Sequence, residues 1–335
     1  MKARAAYGKR CLMFRSIKLC LCTIAVGLAG SAAAAAEFTV WLEALKAEAL
    51  GKGISQVTLD NAFAGVRPIP RVIELDRNQP EFKLTFEQYM SRVVPRKRVE
   101  KGRRLLAENE ALLDAVSSKF GVQARFLVAL WGIESDFGRL TGGFRVIPAL
   151  ATLAHDGRRS KFFRVQLFHA LRIIDQGHVG ARQMMGSWAG AMGQVQFMPS
   201  SFNNFAFDYD GDGRKDLWTT PGDIFASAAN YLARSGWRGD KTWGRKVTLP
   251  VDFDRSRLGL KTRMPMSEWQ ALGVRRVNGG DLPEVEVTAS LITPTDKGLG
   301  PPFLVYENYR TILKWNRSHF FALAVGRLAD LIGGQ

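Results

Sequence analysis

Phe126-Leu127-Val128-Ala129-Leu130-Trp131-Gly132-Ile133-Glu134 is the stretch that decides how this chain is read. A helix running from about Gln123 into Glu134 places residues 127, 130, 131 and 134 at i, i+3, i+4 and i+7, on one face. That face is apolar except for its last member. A carboxylate held there loses hydration, which favours the neutral acid and raises its pKa. An acid still protonated near neutral pH is what glycosidic cleavage requires, because the departing sugar oxygen must receive a proton. The opposing expectation is an ordinary helix end, where Glu134 leaves the stripe and pairs with an arginine. Spacing alone does not choose between them.

Glycosidases ordinarily employ two carboxylates. Asp136, at i+2, points to another face of a continuing helix, and no spacing argument supports Asp156. One well-placed acid without a clear partner suits a reaction in which an internal hydroxyl of the substrate replaces water as nucleophile.

Outward from this stretch the chain reads as mainly α, of the α+β class. Leu105, Leu106, Leu112, Leu113 and Val116 keep helical spacing towards a stop at Gly121. A further helix, capped by Ser160, carries Phe162, Phe163, Leu167, Leu171 and Ile174 as far as Gly177. Pro199 suits the opening of a short helix, and Thr220 with Pro221 the start of one ending at Gly236. Lys246 to Phe253, Val285 to Leu291 and Phe303 to Tyr306 favour strands. Helical periodicity returns from Ser318, with Phe321, Val325, Leu328 and Leu331 on one stripe. The expected organisation is a helical domain over 37–118, a core over 119–238, a small β-rich domain over 239–308 and a segment, 309–335, packing back on the helices.

The N-terminal 36 residues stand apart. Lys2, Arg4, Lys9, Arg10, Arg15 and Lys18 precede an apolar run from Leu19 to Gly30, and Ser31 to Ala36 are small. That is the order of a cleaved secretory signal peptide. The run, about 12 residues, is shorter than the roughly 20 a spanning helix needs. Large Leu19 and Leu21 before Cys20 and Cys22 speak against a lipid anchor. Cleavage would remove Cys11, Cys20 and Cys22, all 3 cysteines of the chain, excluding a disulfide scaffold, a zinc-thiolate site and a cysteine nucleophile together.

Of 335 residues, 46% are hydrophobic and 23% charged, close to globular averages, which disfavours disorder, collagen-like repeats and a polytopic membrane protein. The net charge of +16 falls to +10 without the leader, because 41 of the 47 basic residues still face 31 acidic ones. Such a surface attracts polyanions. Export would remove nucleic acid as partner; in a bacterial envelope the polyanions are the peptide carboxylates of the wall and the phosphates of lipid headgroups. The densest basic run, Arg96, Lys97, Arg98, Lys101, Arg103 and Arg104 with Glu100, reads as a solvated helix face. A periplasmic monomer without stable membrane insertion is expected.

Asp208-Tyr209-Asp210-Gly211-Asp212-Gly213-Arg214-Lys215-Asp216 sets oxygen ligands at loop positions 1, 3, 5 and 9, with glycine at 6 and the Arg214 carbonyl at 7. This is the first part of an EF-hand loop. Position 12 is Thr219 rather than glutamate, so Asp223 would have to supply the late carboxylate from a longer loop. Clustered aspartates repel one another unless a cation holds them. A structural Ca2+ is expected, against a merely solvated Asp/Gly turn.

Trp131 to Gly138, then Leu150-Ala151-Thr152-Leu153-Ala154 with Arg158-Arg159, then Gly190 to Ser201 (GAMGQVQFMPSS) resemble the lytic transglycosylase B family of murein-cleaving enzymes, glycoside hydrolase family 103. The likeness runs from about residue 37 to the end and is weakest in the β-rich part. It implies a lysozyme-like catalytic core flanked by a helical domain and a small β domain. It also implies cleavage of the β-1,4 bond between N-acetylmuramic acid and N-acetylglucosamine of peptidoglycan by the muramyl 6-hydroxyl, giving a 1,6-anhydromuramyl end. Glu134 matches the sole catalytic acid and base. Ser187 and Gln196 match sugar-binding groups, and Arg158 and Arg159 a pair that grips the stem peptide through bidentate carboxylate contacts. Tyr231 matches an aromatic of the cleft wall and Asn316 a sugar ligand. Trp315 and Phe321 stand where tyrosines are common, so stacking is kept there while hydroxyl contacts are not. Tyr89 aligns loosely. The alternatives are a muramidase that hydrolyses the same bond with water, and a calcium-dependent peptidoglycan-binding protein without catalysis.

Overall fold

The computed structural model describes residues 22–78, 84–295 and 298–334. Most of the expected leader lies outside them. From Cys22 the chain is already within α1 (Cys22–Gly51), which continues through the expected boundary between Ala36 and Glu37. Among the described residues no helix is long and apolar enough to cross a membrane.

Five helices follow: α2 (Gln56–Phe63), α3 (Pro70–Arg77), α4 (Phe86–Val93), α5 (Arg96–Glu108) and α6 (Glu110–Phe120). The continuous apolar run expected towards Gly121 is therefore two helices. The break is at Asn109 (φ −110°, ψ 17°), whose side-chain Nδ2 donates to the Leu105 carbonyl at 2.9 Å and so competes with the helical ladder. Gly121 ends α6 in the left-handed conformation, φ 67°.

The helix of the deciding stretch is α7 (Ala124–Ser135), matching the expected span to within a residue at each end. Next come β1 (Phe144–Arg145), α8 (Val146–His155), α9 (Ser160–Asp175), β2 (Met185–Gly186), α10 (Pro199–Phe205) and α11 (Pro221–Arg234). Helix α8 is buried from Val146 to Ala154, a segment apolar all round and therefore enclosed. Ser160 is the first residue of α9 rather than its cap. Arg159 occupies the cap position in the left-handed region, φ 56°, without a side-chain capping bond.

The β-rich segment comprises β3 (Gly244–Thr248), β4 (Met264–Pro265), α12 (Met266–Ala271), β5 (Arg275–Arg276), β6 (Thr288–Ile292) and β7 (Phe303–Val305). They form an antiparallel sheet in the order β4-β6-β7-β3-β5. Strand alternation splits its side chains between two cores. Ala289, Leu291 and Leu304 join Val247, Met266, Trp269 and Val274 in a separate small core, while Ile292, Phe303 and Val305 face the helices.

The chain closes with α13 (Glu307–Trp315) and α14 (His319–Ile332). Helical structure returns at Ser318 as expected, and Ser318 caps α14, its Oγ accepting from the Phe321 N–H at 3.3 Å. Helix α7 packs against α14 and α5. Leu127 and Leu130 of α7 and Val325 and Leu328 of α14 are fully buried, each contributing about 1.5–3 kcal/mol of burial. This packing fixes the end of α7, and with it Glu134.

Candidate active site

Glu134 is the penultimate residue of α7 and is half-buried. Its Oε1 accepts from the Trp315 indole Nε1 at 2.7 Å. Just beyond it the backbone reverses through three successive left-handed residues, Asp136 (φ 51°), Phe137 (φ 59°) and Gly138 (φ 81°). Ser135 secures the reversal, its Oγ accepting from Gly138 N–H at 2.9 Å. The turn carries Asp136 away from the stripe, as its i+2 spacing requires. Partial burial pushes the Asp136 carboxyl up. The hydrogen bond from Arg139 and the charges of Lys101 and Arg98 outweigh burial and hold its pKa below the ordinary value. Asp156 is paired with Arg77 at 2.9 Å. Both carboxylates weighed as partners of Glu134 are thus engaged by arginine.

The segment after the turn docks on the Gly- and Met-rich stretch. At Gly142 (φ 100°) a Cβ would lie 2.1 Å from the Gly186 carbonyl and 2.5 Å from the Ser187 nitrogen, so only glycine permits the approach. Ser187 is half-buried, its Oγ accepting from the Ala191 N–H at 3.0 Å. Gln196, at φ 49°, donates its amide nitrogen to the carbonyls of Thr141 (3.0 Å) and Gly193 (2.8 Å). Its carbonyl oxygen is left to accept. Sequence reasoning named Ser187 and Gln196 but not Gln194. That side chain takes a bond from Trp131 Nε1 at 2.7 Å and donates to the Trp218 carbonyl at 2.7 Å, tying α7 to the Gly-rich stretch. Its place directly after two glycine turns, in Gly190-Ala191-Met192-Gly193-Gln194, was the available sign.

Aromatic rings surround the Glu134 partner. The Trp315 ring lies 4.8 Å from Tyr231 and 5.2 Å from Phe197, and Tyr231 lies 4.5 Å from Phe205. The Tyr231 hydroxyl donates to the Lys314 carbonyl at 2.7 Å, pinning the residue before Trp315. Asn316 is exposed at the end of α13, and its Oδ1 accepts from Ser318 N–H at 3.1 Å. Phe321, expected beside the sugar, is only 5% exposed and packs in the helical core, so its ring face is covered by protein. The correction follows from the stripe it shares with Val325 and Leu328. Tyr89 of α4 is half-buried, its ring 5.5 Å from Phe320.

Arg158 and Arg159 both pair with Asp76 of α3, which is 1% exposed. Arg158 also donates to the Asp76 carbonyl at 2.7 Å. Their side chains remain half-exposed, so the pair is oriented by a buried carboxylate and still reaches solvent.

In the acidic loop, ligand oxygens of Asp208, Asp210 and Asp212 lie within 4.8 Å of one another. Local turns hold them: Asp208 accepts from the N–H groups of Gly211 and Gly213, and Asp212 from that of Arg214. Asp223, buried in the first turn of α11, accepts from the backbone of Tyr209 and Asp216, each at 2.7 Å. Burial raises its pKa against those bonds, with Asp210 and Asp208 adding repulsion. Asp216 turns onto Thr219 and the Trp218 N–H. Three convergent carboxylates braced by a fourth suit a hard cation with oxygen ligands.

SltB3 from Pseudomonas aeruginosa, solved in complex with NAG-anhNAM-pentapeptide and with NAG-NAM-pentapeptide, matches this structure with TM-scores of 0.85 and 0.86. It is 47% identical, over 89% of this chain and 80% of that chain. The fold is that of the lysozyme-like lytic transglycosylases, which are enzymes. The transglycosylase SLT domain profile matches residues 37–330, and the chain belongs to that family. The membrane-bound lytic murein transglycosylase B of Escherichia coli (strain K12) is 30% identical over 252 residues, 73% of this chain and 66% of that protein, just under two thirds of its length. The E. coli lytic transglycosylase Slt35, solved in complex with calcium, is 27% identical with a TM-score of 0.74, over 87% of this chain and 92% of that chain.

Proposed function

We propose that this chain cleaves the β-1,4 bond between N-acetylmuramic acid and N-acetylglucosamine in peptidoglycan without consuming water, with Glu134 as its single acid and base. Glu134 protonates the bridging oxygen as the bond to the anomeric carbon breaks. It then takes the proton of the muramyl 6-hydroxyl, whose oxygen bonds to the same anomeric carbon, giving the 1,6-anhydromuramyl end. The departing sugar keeps the first proton as its new hydroxyl, the carboxyl regains one from the 6-hydroxyl, and the atoms balance. The observation that carries this reading is a half-buried carboxyl, bonded to an indole N–H, while Asp136 and Asp156 are each taken up by arginines.

Around that acid, Ser187, Gln196 and Asn316 would bind sugar hydroxyl and acetamido groups, and Trp315 and Tyr231 would line the wall. Arg158 and Arg159 would take the stem-peptide carboxylates as a fork pre-oriented by Asp76. Calcium held by Asp208, Asp210 and Asp212, with the Arg214 carbonyl and Asp223 completing the loop, would supply stability and no step of the reaction. The relatives' substrate and the order of charges in the N-terminal 36 residues support release of the chain from a cleaved leader into the periplasm, where it would act as a monomer. The helical, catalytic and β-rich domains would meet near residues 118 and 238.

Glu134→Gln tests the assignment. Lysis of murein should fall by roughly 10²–10⁴-fold, the usual worth of a general acid, with murein binding retained. An unchanged lytic rate would eliminate Glu134 as the acid.

A further inference from the structure

We infer that Trp315 is a positioning residue for Glu134: its indole N–H fixes which carboxyl oxygen carries the proton. The inference rests on the reading of Glu134 as the acid. An indole nitrogen donates and never accepts. The oxygen 2.7 Å from it, Oε1, must therefore be the acceptor, and the proton of the neutral acid resides on Oε2. A single carboxyl that must first give a proton to the bridging oxygen and then recover one from the 6-hydroxyl gains from having one defined delivering atom. Without a fixed donor, either oxygen can carry the proton, and half of the protonated population presents the wrong one.

The indole is held from several sides. Tyr231 and Phe197 pack on it at 4.8 and 5.2 Å, Phe205 backs Tyr231 at 4.5 Å, and Tyr231 grips the Lys314 carbonyl. The next residue returns its N–H to the Ile312 carbonyl at 3.1 Å. Such a platform makes the N–H a preorganised dipole rather than a mobile one.

An N–H donated to a carboxylate favours its ionised form and lowers its pKa. Several charged groups on the elements around α7 are engaged elsewhere. On α5, Arg98 and Lys101 bind Asp136, and on α14 Asp330 binds Arg125. Lys119 of α6 lies over the rings of Phe120, Phe207 and Tyr209. On α11, Tyr231 and Arg234 donate to the carbonyls of Lys314 and Asn204, and Lys314 of α13 donates to that of Ser235.

The test is the pH profile of murein cleavage by Trp315→Phe, which keeps an aromatic ring and removes the N–H. The alkaline limb of kcat/KM, where the acid loses its proton, should move up by about one pH unit. kcat should fall about tenfold with KM within about twofold, as befits lost orientation. An unmoved limb with raised KM and unchanged kcat would make Trp315 a sugar platform only and overturn the inference. Should Trp315→Phe fail to fold, the indole N–H resonances of the otherwise unaltered chain give the same answer. One resonance that moves with pH should stop moving in Glu134→Gln, and no such loss would overturn the inference. If Glu134→Gln itself retains full lysis, the reading of the acid fails instead.

Discussion

The indole Nε1 of Trp131 donates to Gln194 Oε1 at 2.7 Å, and Gln194 passes the connection on to the Trp218 carbonyl. Through this one amide, α7 is tied to the Gly-rich stretch bearing Ser187 and Gln196. A Cβ on Gly138 would sit 2.3 Å from the same Gln194 oxygen, so the turn after Glu134 is fitted around it. Gln194→Leu orphans a half-buried indole N–H and should cost about 1–3 kcal/mol. Chemical denaturation should show that loss together with reduced lysis; a variant as stable and active as the parent would contradict the linkage.

Asp76 is buried and held by two half-exposed arginines. Removing both in Arg158→Ala/Arg159→Ala leaves a buried carboxylate uncompensated, at a cost of about 3–5 kcal/mol. Adding Asp76→Ala should recover much of that stability. A double-mutant cycle measures the coupling, and purely additive losses would show that the arginines do not serve Asp76.

Asp136 links stability to acid. Its folded pKa lies below the ordinary aspartate value, because the bond from Arg139 and the charges of Lys101 and Arg98 outweigh the upward push of burial. The contribution is therefore complete above that value and is lost as pH falls through the folded pKa. The melting temperature of the parent should exceed that of Asp136→Asn near pH 6, and the gap should close towards pH 2–3. A gap constant across that range would refute the ion pairing.

Calcium should raise the melting temperature, because a ligand bound only by the folded state stabilises it by about 2.7 kcal/mol at a hundredfold excess over Kd. Asp210→Ala/Asp212→Ala should abolish the rise while keeping the apo melt close to that of the parent. Identical melts in calcium and in chelator would count against a metal loop.

Much of the helical layout is legible because burial imposes a period. Leu127, Leu130 and Glu134 could be placed on one face from spacing alone, and so could the stripe of α14. The same stripe argues for a buried Phe321, and its expected ligand role gave way to packing. The Trp315–Glu134 bond joins residues 181 apart in sequence, and no local periodicity reports it. Asn109 and Arg159 escaped for a different reason. Each terminates or opens a helix through backbone conformation, a side-chain bond to Leu105 in one case and a left-handed φ in the other. The acidic loop was readable as three convergent aspartates because its turns are local. Asp216, expected as a ligand, turns instead onto Thr219.

The most direct measurement is the mass of the muropeptides that the purified chain releases from peptidoglycan sacculi. Intramolecular attack by the 6-hydroxyl predicts disaccharide-peptides ending in anhydromuramic acid, one water lighter than hydrolysis products and without a reducing end. Release of reducing muramyl ends carrying the extra water would contradict the account.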